Sequence, residues 1–170
     1  MITLYIIGTL IVLIGISVFF GAPYVPSHKK DIKQVFDDLA PIGPGDTVLD
    51  IGSGDGIVLR EVSRRGARAV GYEIHPLFVF IAKLLSWGDK NVTVKWANAW
   101  TAPFPKQTTL VYMFGVGRDG SRLARKMQRE ADLLGKPLPL VCYGNPLPER
   151  QALREVGAYY LYVFEPLHLK

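Results

Sequence analysis

The sequence predicts an α/β fold: a doubly wound, mostly parallel sheet preceded by one transmembrane helix. Three observations lead there. Short apolar runs alternate with segments of helical periodicity, as when strands return to one sheet through crossover helices. The run Val48-Leu-Asp-Ile-Gly-Ser-Gly-Asp-Gly56 passes from an apolar strand through an acid into a turn with glycine at alternate positions. A second apolar run, Ala69-Val-Gly-Tyr-Glu73, ends in another acid. Acids at the ends of two strands, with a glycine-rich turn after the first, are how a Rossmann-like sheet grips a nucleoside cofactor.

Residues 1–22 contain no charged side chain. As a helix, at about 1.5 Å per residue, they would reach roughly 30 Å, a bilayer core. A cleaved signal peptide is the competing reading, but it needs a basic segment in front, and no Lys or Arg precedes this run. His28, Lys29, Lys30 and Lys33 follow it, which places the globular part on the cytoplasmic side. Phe19, Phe20 and Tyr24 suit the membrane interface. The connector and pre-domain helix take 23–45. Pro23 and Pro26 stop the membrane helix, and Ser27 can cap a helix over Lys29–Leu39 with Ile32, Val35, Phe36 and Leu39 on one stripe.

The remaining chain, 46–170, reads as one domain. Pro41 to Gly45 is a turn. Strand one is Thr47–Ile51. A helix follows over roughly Ile57–Arg65, ended by Gly66. Strand two is Ala69–Tyr72, closing at Glu73. Pro76 opens a helix through Leu85. Strand three is Val92–Trp96 and strand four Leu110–Phe114. A helix spans Ser121–Leu134, with Gly135 as its stop. Strand five is Leu138–Tyr143. Arg150–Val156 is expected as a short helix. Tyr159–Phe164 is expected as a closing, antiparallel edge strand.

Cys142 is the only cysteine, so no intrachain disulfide can form, in keeping with a reducing compartment. Its apolar surroundings make it a structural thiol. His28, His75 and His168 are scattered without a cysteine or carboxylate cluster, so no metal is expected.

The glycines carry the chemistry. Gly52, Gly54 and Gly56 allow a sharp turn, and bring main-chain N–H groups near a ligand. A dinucleotide fingerprint reads G-x-G-x-x-G; here Ile57 stands where its third glycine would be. Asp50 lies two residues before the first glycine. A carboxylate there repels a pyrophosphate but suits a cation. S-adenosylmethionine, with its sulfonium and ammonium groups, fits. The competing view of Asp50, Asp55 and Glu73 is that an acid at a strand end caps the next helix.

This combination resembles motif I of the seven-strand S-adenosylmethionine-dependent methyltransferases. Further blocks occur in order: Pro23-Tyr-Val-Pro26 after the apolar segment, Gly71-Tyr-Glu-Ile-His-Pro-Leu77, Ala97-Asn-Ala-Trp100 and Val111-Tyr-Met-Phe-Gly-Val116. Together they resemble the small membrane-anchored protein lysine methyltransferases, whose mitochondrial members modify the c-ring protein of ATP synthase and the adenine nucleotide translocase. The resemblance implies a seven-strand sheet and S-adenosylmethionine as cofactor. It implies cofactor contacts from Asp50, Gly52, Ser53, Gly54, Asp55, Gly56, Glu73, Ile74, Asn98 and Ala99, with Glu73 accepting from the ribose hydroxyls. Tyr24, Phe114, Gly115 and Val116 are the candidates for the acceptor channel. If the source is eukaryotic, it implies a mitochondrial location.

The chain departs from that family at three places. His75 stands for Asn, Asn98 for Asp, and Gly117 for a proline after Gly-Val. An uncharged Asn98 oxygen accepts a hydrogen bond from the adenine amino group more weakly than a carboxylate. The Asn/Asp-Pro-Pro-Tyr motif of enzymes that methylate planar amides and base amino groups is missing after strand four. Phe114-Gly-Val-Gly117 stands there instead.

The formal net charge is +5. Arg118, Arg122, Arg125 and Arg129 share one helix face, opposite Leu123, Met127, Ala131 and Leu134. The stripe is a solvated face or a contact for lipid headgroups or an acidic partner. Basic and aromatic residues are not interleaved as in base-stacking surfaces, so no nucleic-acid partner is expected. The leading expectation is a single-pass, membrane-anchored methyltransferase acting on a lysine of a membrane protein. The alternatives are a small-molecule or lipid acceptor, and a catalytically silent, membrane-tethered interaction module.

Overall fold

The computed structural model describes residues 1–5, 8–9, 29–116 and 119–167. The expected anchor, 1–22, falls mostly outside these residues, as do the Pro-Tyr-Val-Pro block, Tyr24 and Ser27. Among the described residues no helix is long and apolar enough to cross a membrane.

Seven strands form one sheet in the order β3-β2-β1-β4-β5-β7-β6. They are β1 (Thr47–Ile51), β2 (Arg68–Glu73), β3 (Val92–Trp96), β4 (Leu110–Val116), β5 (Leu138–Gly144), β6 (Arg154–Val156) and β7 (Tyr159–Phe164). Strands β1 to β5 pair in parallel. β7 runs antiparallel to both β5 and β6. Among the described residues, the helices of the domain are α1 (Lys29–Gln34), α2 (Ile57–Arg64), α3 (Pro76–Leu85) and α4 (Gly120–Leu134).

The chain leaves β1 for β2 and β3 on one side, and returns to β4 and β5 on the other. The order therefore reverses between β1 and β4, where a crevice opens beyond the carboxyl ends of a doubly wound sheet. Side chains on a strand alternate between faces, which divides the core into two layers. Val48, Ala69, Leu110 and Val141 pack against α1, α2 and α3. Leu49, Ile51, Val111, Leu140 and Cys142 pack against Leu123, Met127 and Ala131 of α4.

α1 continues into a π-helical turn, Val35–Leu39, closed by the Ala40 N–H donating to the Val35 carbonyl at 2.9 Å. All four stripe residues, Ile32, Val35, Phe36 and Leu39, are buried in the first layer. Arg65 ties this segment to α2: its guanidinium reaches Asp37 Oδ1 at 2.7 Å, the Phe36 carbonyl at 3.1 Å and Glu61 Oε1 at 3.2 Å.

Two sequence expectations are corrected at the chain's end. The helix expected over Arg150–Val156 is not formed; Arg154–Val156 is strand β6. A two-residue turn joins it to β7, since Val156 pairs with Tyr159. Gly157 takes φ +60 there, the left-handed value such a hairpin asks of its first turn residue. The Leu153 N–H donates to the Leu161 carbonyl at 2.8 Å, and Arg154 reaches the Asp38 carbonyl at 2.7 Å. Those long-range bonds outweigh the weak local helical pattern. β7 is antiparallel as expected, but β6 holds the edge and β7 lies inside it.

Candidate functional site

The crevice between β1, β2 and β4 is a cavity of about 310 Å³. Gly52 and Gly54 take φ +76 and +53, left-handed values that side chains resist, and so let the turn fold back over the strand ends. The Gly52 and Ser53 N–H groups donate to the Tyr72 carbonyl at 2.8 and 3.2 Å, which fastens the turn to β2. Gly71 permits this closeness. A Cβ there would lie 2.5 Å from Ser53 Oγ and 2.6 Å from Leu59 Cδ1.

Glu73 is 6% exposed and accepts twice from the backbone. Gly54 N–H reaches Oε2 at 2.9 Å and His75 N–H reaches Oε1 at 2.8 Å. A carboxylate has about four acceptor positions, so roughly two remain for a ligand. Asp50 lies on β1 opposite Gly71 of β2 and Tyr112 of β4. It is 3% exposed. Burial, then the Glu73 and Asp55 charges, push its carboxyl up to about 8.

Among the described residues, four acids line the cavity, Asp50, Asp55, Glu73 and Asp119, with no Lys or Arg beside them. Such a field attracts a cation and opposes a phosphate. Asp55 also has a structural task. Its Oδ1 accepts the Ile57 N–H at 3.1 Å at the start of α2, and Arg60 holds its other oxygen at 3.3 Å.

Of the residues named from sequence, Asp50, Gly52, Ser53, Gly54, Asp55, Glu73, Ile74, Asn98, Ala99, Phe114 and Gly115 are brought to the cavity wall. Gly56 is not. It precedes α2 at φ +80, and a Cβ there would meet Ala82 Cβ at 3.2 Å, so its smallness serves the packing of α2 on α3. Val116 ends β4, while Tyr24 and Gly117 lie outside the described residues. Asn98 Oδ1 accepts the Trp100 N–H at 3.0 Å, so its side chain shapes the loop as well as facing the cavity.

Sequence reasoning missed Phe78, Trp100, Tyr112, Met113 and Asp119 in the wall. Tyr112 was within reach, being two residues before Phe114 on one strand. Beside the wall, the rings of Phe114 and Tyr143 stack at 4.3 Å with 5° between their planes. Tyr159 lies 4.9 Å from Tyr143. Pairing of β4 with β5 shifts register between Met113 and Val116, and such a bulge re-aims side chains.

Two other readings stand. Cys142 is buried, and burial pushes its thiol up to about 12, as befits a structural cysteine. On α4, Arg122, Arg125 and Arg129 are exposed, while Leu123, Met127 and Ala131 are buried.

No protein-family model matches the chain. It is similar to the ATP synthase c-subunit lysine N-methyltransferase of Xenopus laevis, with 30% identity over 134 residues, 72% of this chain and 58% of that protein. The human protein of the same name is 30% identical over 113 residues, 65% of this chain and 47% of that protein. The chain thus spans about half the length of the curated relatives it matches. The resemblance to lysine methyltransferases read from the motifs is borne out. Among solved structures, an RNA methyltransferase from Salinibacter ruber in complex with S-adenosyl-L-homocysteine superposes with a TM-score of 0.72 at 22% identity, covering 86% of this chain and 97% of that one. The fold is therefore that of the seven-strand methyltransferases.

Proposed function

We propose that this chain is an S-adenosylmethionine-dependent methyltransferase acting on a lysine side chain of a membrane protein, held at the membrane by residues 1–22. One observation carries the cofactor assignment: a cavity at the sheet's switch point lined by four acids and, among the described residues, no Lys or Arg, with the Glu73 carboxylate oriented by two backbone N–H groups. The name shared by its relatives, ATP synthase c-subunit lysine N-methyltransferase, supports lysine as the acceptor and a protein as the substrate.

The residues present suit the cofactor. Glu73 would receive the ribose hydroxyls, and Asp50 would balance the cation charge. Gly52 and Gly54 add no side chains of their own to the turn. Asn98 would receive the adenine amino group with whatever acceptor capacity its bond to Trp100 leaves. The cofactor supplies a methyl group on a positively charged sulfur. Bound there, it would supply that methyl to the lysine nitrogen, whose lone pair would form the new N–C bond as the C–S bond breaks and its electron pair is left on sulfur.

The chain's part is positioning, which can supply most of the barrier reduction. Phe114 and Gly115 form the wall beside β4, backed by Tyr143. An aromatic face there attracts a cationic lysine and its methylated products. Lysine must lose a proton before attack, and desolvation beside a sulfonium lowers its pKa. No general base is required.

Calorimetric titration of the detergent-solubilised chain with S-adenosylmethionine, beside Asp50→Ala, tests the cofactor assignment. Saturable binding lost in the variant supports it. A folded chain that binds nothing overturns it, in favour of a tethered interaction module. Tritium-methyl transfer to membrane fractions, followed by analysis of the labelled residue, tests the acceptor. Label on lipid or on a small molecule overturns the protein-lysine reading.

A further inference from the structure

Helix α3 carries a single charged residue, Lys83, in Pro-Leu-Phe-Val-Phe-Ile-Ala-Lys-Leu-Leu. Its inward face buries Val79 and Ala82 against the sheet. At 100° per residue, Leu77, Phe80 and Leu84 point the opposite way. They are 55, 64 and 56% exposed. A surface helix normally turns polar groups outward, so this face is unsatisfied in water. Trp87 extends it beyond the last turn and is 86% exposed. Trp96 lies at the other end, 70% exposed; its indole N–H donates to the Ile74 carbonyl at 2.9 Å, leaving the ring's apolar surface outward.

We propose that this face is a docking surface for an anionic lipid bilayer. Charge selects lipid over a second copy or an apolar peptide. Lys83 and Lys90 are exposed beside the patch, and neither pairs with a carboxylate among the described residues. The neighbouring acid, Asp89, accepts the Asn91 N–H at 3.0 Å within its own turn. Apolar side chains flanked by tryptophan and lysine match the layers of a membrane interface: acyl boundary, headgroup and phosphate. Lysine stems can lie along the apolar surface with their ammonium groups at the phosphates.

Docking also orients the site. His75, which precedes α3, and Phe78 within it line the cavity. A bilayer against the outward face holds the cavity beside the headgroups, which selects acceptor lysines near the membrane surface. This deepens, and rests on, the membrane-protein methyltransferase reading.

The test uses the full chain in vesicles of phosphatidylcholine with phosphatidylglycerol. A nitroxide is placed at Leu84→Cys, or at Arg129→Cys on the far face of the sheet. Buried Cys142 stays unlabelled. We expect the Leu84→Cys label to gain access to oxygen and lose access to an aqueous nickel chelate, while the Arg129→Cys label remains open to the chelate. Adding Lys83→Glu and Lys90→Glu should reverse much of that protection. Equal chelate access at both positions overturns the proposal. Shielding from oxygen and chelate alike also overturns it, because protein then covers the face, either the chain's own amino-terminal segment or a second copy. Cofactor titration of the same samples separates the two ideas: a protected label without cofactor binding leaves docking intact and removes the enzyme reading.

Discussion

The Gly54 amide donates to Glu73 Oε2 at 2.9 Å, joining the turn after β1 to the acid that ends β2. One bond thereby sets both the turn's shape and the direction in which the carboxylate faces the cavity. Glu73→Gln keeps the size but removes the charge. Charge-assisted hydrogen bonds contribute about 1.5–3 kcal/mol, so cofactor affinity should fall roughly 10- to 100-fold. Calorimetry reads this directly, and an unchanged dissociation constant would remove Glu73 from the binding set.

Asp50 gives the site a pH dependence. Burial and neighbouring acids raise its carboxyl from the ordinary 3.8 to about 8. Between those values the folded state holds a proton that the unfolded chain has released. Stability from this group therefore falls as pH rises through that window, and is level above it. A bound cation favours the ionised carboxylate, so binding must expel the proton below about pH 8. Affinity should then rise with pH, by up to about tenfold per unit, and flatten above that value. Proton release measured in buffers of different ionisation enthalpy checks this, and Asp50→Asn should flatten the profile.

Gly71→Ala should loosen the turn. Its Cβ would be 2.5 Å from Ser53 Oγ and 2.6 Å from Leu59 Cδ1, so the loop must move. Overpacking of this kind costs roughly 1–3 kcal/mol. Denaturant unfolding should report the loss, together with weaker cofactor binding. Parent-like stability and affinity would show that the contact is easily relieved.

Lys126 and Glu130 form a buried pair on α4 at 2.8 Å. Lys126 also donates to the Ala102 carbonyl, and Glu130 accepts the Phe104 N–H at 2.9 Å, so the pair secures the segment after the cavity residues Ala97 to Trp100. Lys126→Met leaves a buried carboxylate unpaired and should cost about 3–5 kcal/mol. Adding Glu130→Leu should recover part of that loss in thermal unfolding. A double variant as unstable as the sum of the two single ones would show that the pair does not act as a unit.

Elements whose signals are local could be read from the chain alone. β1, α3 and β3 occupy the bounds expected from apolar runs, Pro76 and the surrounding turns. The acids and glycines after β1 and β2 marked the cavity because a left-handed turn and a strand-end carboxylate are written into a few adjacent residues. The rest depended on tertiary contacts. Arg154–Val156 became a strand because β7 was available to pair with it, although the local pattern favoured a helix. The position of β7 inside β6, the stacking of Phe114 on Tyr143, and the capture of Gly56 by α3 join residues that are distant in the chain. Their energies arise only once side chains from separate strands and helices meet, so no local pattern encodes them.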